Sequence, residues 1–202
     1  MALFDSIKNQ VTSQLKREAS KIVNNASQNA SQAIAKGRNR TESFTFSSLP
    51  TSVEELKSLP EASLDSAFKT TALCIAVLCN LEKDANATWE MLDYLKGPED
   101  VNEREKAFIK ERLAGKQYKT LSFFKGATPD NGYTPAAPYT ITVSENPYSF
   151  EEENWAILYV TSGGADSPRP MKLRKKPSTY QWFVNEIQCL ADIRIPTEQD
   201  PW

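Results

Sequence analysis

Tyr139-Thr140-Ile141-Thr142-Val143-Ser144 alternates large apolar residues with hydroxyl residues. A period of two belongs to a strand with one buried and one wet face. Segments on either side follow the same rule. Trp155-Ala156-Ile157-Leu158-Tyr159-Val160-Thr161 is rich in aromatic and β-branched residues, as strands are, and Pro170-Met171-Lys172-Leu173-Arg174-Lys175 is half polar. Tyr180-Gln181-Trp182-Phe183-Val184 reads as another strand, or as the start of a helix running on through Glu186-Ile187-Gln188. The spacings between these segments suit hairpins, so a sheet over about residues 139–195 is expected to be an antiparallel meander. Far upstream, Ser43-Phe44-Thr45-Phe46 alternates briefly and suits an edge strand.

Between these two places the period changes to that of helices, over about residues 52–115. Ser52-Val53-Glu54-Glu55 has the form of a capping box and opens a short helix stopped by Pro60. Residues 64–82 are apolar nearly all round their middle, which places that helix at the centre of the fold. A third helix runs from about Ala87 to Lys96 and stops at Gly97-Pro98. A second capping box, Asn102 to Glu105, opens a helix with Phe108, Ile109 and Leu113 that ends at Gly115. Helices first and strands later predict an α+β domain over residues 41–202, with a helical layer packed on a C-terminal antiparallel sheet. Trp89, Trp155, Trp182 and Tyr159 are expected to pack between the layers.

In front of this body stands an arm. Residues 1–40 carry seven Lys and Arg against two Asp and Glu, a net charge of +5. The whole chain sums to −2, so residues 41–202 carry −7. Phe4, Ile7, Val11, Leu15 and Ile22 recur at helical steps, and the stripe then thins to alanines up to residue 34. Such a basic amphipathic helix suits association with a protein partner or with a second copy. The same stripe would also suit an anionic membrane surface, and its weak second half a loose tether.

Composition removes whole classes of chemistry. The 202 residues include no histidine, which excludes Ser-His and Cys-His nucleophile pairs and imidazole-ligated metals. Cys74, Cys79 and Cys189 are odd in number and lack CxxC spacing, so neither a disulfide framework nor a zinc site is expected. No catalytic residue, metal site or cofactor is assigned. Reduced cysteines and the lack of a continuous apolar stretch in residues 1–20 suggest a cytoplasmic setting.

Two loops invite a functional reading. In Ser162-Gly163-Gly164-Ala165-Asp166-Ser167-Pro168-Arg169, paired glycines could offer amides to an anion while Asp166 and Arg169 hold a polar ligand. The plainer alternative is a hairpin loop in which glycine supplies positive φ, Asp166 caps the turn and Arg169 meets a carboxylate. Glu151-Glu152-Glu153 could supply paired carboxylates, yet three in a row usually face water. Lys172, Arg174, Lys175 and Lys176 near Tyr180 and Trp182 could bind nucleic acid; the acidic body and the lack of a recognised motif disfavour it.

Phe124-Lys125-Gly126-Ala127-Thr128-Pro129, Pro138 to Val143, Ser162 to Arg169, Gln181-Trp182-Phe183, Ile193-Arg194-Ile195-Pro196 and Asp200-Pro201-Trp202 resemble an uncharacterised, mainly Gram-positive bacterial family with a domain-of-unknown-function label. The resemblance covers most of residues 41–202 and implies a shared fold without supplying an activity. The expectation is therefore a non-enzymatic interaction or scaffolding module. The alternatives are a small-ligand domain or His-independent enzyme using the 162–169 loop, and a protein attached to membranes by its arm.

Overall fold

The computed structural model describes residues 39–201. The arm residues Phe4, Ile7, Val11, Leu15 and Ile22 lie outside the described part. Five strands form one sheet: β1 (Thr41–Phe46), β2 (Tyr139–Ser144), β3 (Trp155–Val160), β4 (Arg169–Lys175) and β5 (Trp182–Glu186). They stand in sequence order and every neighbouring pair is antiparallel. The meander is as expected, β1 is indeed an edge strand, and Trp182–Val184 belongs to a strand rather than a helix. The sheet ends at Glu186, short of 195, and the chain beyond is irregular.

All five α-helices found among the described residues lie between β1 and β2: α1 (Val53–Ser58), α2 (Ala67–Leu78), α3 (Ala85–Lys96), α4 (Glu103–Leu113) and α5 (Tyr118–Leu121). Helix α2 is the hub. Every residue from Ala67 to Leu78 except Lys69 is buried, and the helix crosses all five strands. Its Leu73, Ile75 and Leu78 belong to one core cluster with Ile141, Val143, Leu158, Met171 and Leu173 of the sheet. Burying each such side chain contributes about 1.5–3 kcal/mol.

The helix starts are set by caps. Ser66 Oγ accepts from the Phe68 amide at 3.3 Å and Asp84 Oδ1 from Ala87 at 3.0 Å, so α2 begins later and α3 earlier than periodicity suggests. The box at α4 is reciprocal: Glu105 N donates to Asn102 Oδ1 at 3.0 Å and Asn102 N to Glu105 Oε2 at 3.1 Å. The box at α1 is only half formed. Glu55 N donates to Ser52 Oγ, but the Glu55 carboxylate accepts from the amide and hydroxyl of Thr51 instead. Helix α5 has too few residues to show a period, and it falls in a stretch with no expected element.

One expectation about the core fails. Trp89 is buried, but Trp155 and Tyr159 are only half-buried on the opposite face of the sheet. In β3 it is Ala156, Leu158 and Val160 that meet the helices, and alternation sends the larger residues outward. There the Lys172 ammonium and Arg174 guanidinium lie over the Trp155 ring, at 4.7 and 5.3 Å from its centroid. Trp182 is half-buried and meets Phe150 edge-on at 5.7 Å.

Candidate functional site

The 162–169 loop joins β3 to β4 and is tied to two other loops. Gly163 N donates to the Ser122 carbonyl at 2.8 Å, and Gly164 N donates to Ser162 Oγ at 3.1 Å. Both amides are thus engaged within the protein. Neither glycine has positive φ; both serve close approach. A methyl at 163 would run into the Ala127 carbonyl, and one at 164 would lie 2.8 Å from Ile193 Cγ2 and against the Tyr133 hydroxyl. Tyr133, fully buried, donates from that hydroxyl to the Arg194 carbonyl at 2.7 Å. Burial pushes its phenol pKa up.

The charged members of the loop turn away from each other to separate partners. Arg169 donates to Asp192 at 2.9 Å, whereas Asp166, 95% exposed, pairs with Arg194 at 2.9 Å. The tail residues Asp192 and Arg194, neither of them a candidate site residue in the sequence, are thus what occupies both. No local motif points from position 166 to position 194; only the long-range fold joins them. Nearby, Lys119 is almost buried and its ammonium donates to the Leu190 carbonyl at 3.1 Å. Burial lowers its pKa, and Lys116 and Arg112 add to the effect. Glu151, Glu152 and Glu153 are all exposed.

Concave surface with apolar lining lies elsewhere, along β5. As the last strand of the sheet, β5 has one edge without a strand partner. The Trp182 amide and carbonyl on that edge are taken by the Leu64 carbonyl and the Thr70 hydroxyl, at 2.8 and 2.9 Å. Alternation along the strand turns the main-chain groups of Val184 to the same side. Two clefts open there, of about 370 and 260 Å³. Both are lined by Lys96, Val184 and Asn185, so they adjoin.

The larger cleft is apolar, with Val101, Phe108, Ile109 and Ile187 as its walls. Helix α4 supplies two of these. Ile109 points into the core, and Phe108 stays 43% exposed. Lys96 pairs with Glu105 within the cleft lining. The smaller cleft is cationic: Lys96, Arg174, Lys175 and Lys176 line it against the single carboxylate of Glu99. Its floor includes Phe183, whose ring takes the space a side chain at Gly97 would need, 2.5 Å from the ideal Cβ position. Gly97 also has φ +79°, so that position requires glycine twice over. The run Lys172 to Lys176 is visible in the sequence. The meeting of Arg174 to Lys176 with Lys96 at the end of α3 is not, because it depends on where β5 ends up in the sheet.

The three thiols lie apart from these clefts. Cys74 and Cys189 are fully buried, and burial pushes the Cys189 thiol up to about 12 and the Cys74 thiol well above its ordinary value.

Residues 48–197 match a family model described as Domain of unknown function (DUF6935), a span that includes the five α-helices of the described residues and strands β2–β5. No curated protein and no solved structure matches the chain.

Proposed function

Since the chain belongs to the DUF6935 family, whose function is unknown, we propose that it is an interaction module whose folded body receives an extended segment of a partner protein in the clefts beside β5. The observation that carries this is the adjacency of an apolar cleft and a cationic cleft beside β5, sharing Lys96, Val184 and Asn185. Apolar clefts with a few polar groups are where proteins bind, and sheet edges offer main-chain partners to extended chains. The exposed Phe108 ring supports it, since a large aromatic at a cleft mouth has the makings of a binding anchor.

The basic arm belongs to the same reading. Its stripe through Phe4, Ile7, Val11, Leu15 and Ile22 supplies a second docking element, for a partner or a second copy. The loop motifs shared with the resembling family favour a bacterial, chiefly Gram-positive, setting. Two buried, protonated thiols accord with a reducing cytoplasm. Among the described residues no helix is long and apolar enough to cross a membrane.

The full-length chain and its Phe108→Asp and Ile187→Asp variants test the reading as baits. A partner retained by the wild type, purified and titrated back, should protect the amides of residues 182–188 from exchange. It should bind either variant at least about tenfold more weakly, the loss expected on removing an interface anchor. Equal binding by both variants overturns the reading.

A further inference from the structure

The two clefts differ in charge, and that difference selects among partner segments. Resting on the docking reading above, we infer that the segment received beside β5 is an acidic one, with apolar residues in the cleft under Phe108 and carboxylates against Arg174, Lys175 and Lys176. The body as a whole carries −7 over residues 41–202, so carboxylates are repelled from most of it. The stretch Arg169 to Lys176 reverses that sign with five cations in eight residues. Three of them line the smaller cleft, facing only Glu99.

The larger cleft is close to neutral: its Glu105 pairs with Lys96, and its Glu186 lies 3.7 Å from the Lys172 ammonium. A segment seated across both clefts therefore meets apolar surface at one end and unneutralised cations at the other. Val184 and Asn185, common to both, form the short bridge between them. That polarity fixes direction as well as composition: the acidic end of the segment lies toward the β4–β5 turn.

A nucleic acid fits less well. A phosphate backbone needs a continuous cationic track. Here the cations are confined to the smaller cleft, and the larger one continues it with apolar walls, Glu105 and Glu186.

The test uses the full-length chain as bait for a display library of random peptides, each about twelve residues long. Peptides that also bind the Phe108→Asp, Ile187→Asp double variant are removed. Enriched peptides should carry apolar residues followed or preceded by at least two Asp or Glu. A synthetic representative should bind the Lys175→Glu, Lys176→Glu variant at least about tenfold more weakly. It should also weaken as salt rises from about 0.05 to 0.5 M, where the screening length falls below the size of the cleft. Lys175 stacks on Tyr180 and Trp182, so the exposed Lys176→Glu single variant, checked for an unchanged thermal midpoint, repeats the measurement without that contact.

Enriched peptides that depend on Phe108 and Ile187 but show no acidic bias, and bind the charge-reversed variants as well as the wild type, overturn the acidic preference while leaving the docking reading intact. A library with no peptide dependent on Phe108 or Ile187 overturns both. Displacement of the representative by a 20-nucleotide oligothymidylate would assign the cationic cleft to nucleic acid instead and also overturn the inference.

Discussion

The hydroxyl of Tyr133 occupies the space where a side chain on Gly164 would begin, and from there it donates to the Arg194 carbonyl. Arg194 N in turn donates to the Gly164 carbonyl at 2.9 Å, so three chain segments close on one point. Gly164→Ala must push the tyrosine off its acceptor or move the tail. A loss of about 1–3 kcal/mol is expected, the usual cost of overpacking, with a further share if the buried hydroxyl loses its bond. Urea denaturation of the variant checks it; an unchanged midpoint would show that the junction is slack.

Asp166, two residues on, should behave in the opposite way. Its pair with Arg194 is exposed on both sides, 95% and 59%, and exposed pairs contribute little. Asp166→Ala is expected to shift stability by less than about 0.5 kcal/mol. A larger loss in the same denaturation series would mean that the loop depends on that carboxylate in some other way.

The capping box of α4 holds a helix with only two buried residues, Ile109 and Leu113. With so thin an apolar face, the cap matters more than usual. Asn102→Ala should cost about 0.5–2 kcal/mol. It should also raise the exchange rate of amides in the first turn of α4 before those of α2. Equal effects on both helices would refute this account.

Stability should fall in alkali partly through the thiols. Cys189 has its pKa pushed up to about 12 from an ordinary 9.0, so the native state keeps a proton that the unfolded chain releases. The contribution is whole below about pH 9 and is lost as pH rises towards 12. Cys74 acts in the same direction. Cys189→Ala should flatten the decline between those limits, by up to about 1.4 kcal/mol per pH unit. An unchanged slope would place the alkaline loss on other groups.

Removal of residues 1–38 should leave a body with a cooperative thermal transition, because Asn39–Trp202 forms its own compact unit. It should also reduce association. Light scattering on the whole chain and on the shortened one decides this, and equal masses would count against a docking role for the arm.

The fold was readable where one face of an element is apolar and the other is not. Residues 139–144 and the all-round apolar α2 declare their places without help. β3 was harder, because all of Trp155 to Val160 is apolar and nothing local says which parity meets the helices. Trp155 and Tyr159 were therefore placed in the wrong layer. At the site, the cations of 172–176 and the apolar residues of α4 were each visible. What brings them to one edge is the position of β5 as the last strand, which is settled by pairing between distant segments. The glycines of the 162–169 loop were noticed for their flexibility, whereas they are required for their lack of bulk.

The placement of all five helices between β1 and β2 has a consequence for the order of assembly. Phe46 pairs with Tyr139 across the whole helical insertion, whereas β2 to β5 follow one another through much shorter loops. Closing the long loop costs more chain entropy than closing any hairpin. β1 should therefore be the last strand to zip onto the sheet and the first to leave it. Native-state exchange would show this as early opening of the Phe44 and Phe46 amides relative to those of Leu158 and Met171; the reverse order would exclude it. The strand that follows the arm would then be the latch of the body, and whatever pulls on the arm would pull first on the part of the sheet that lets go most easily.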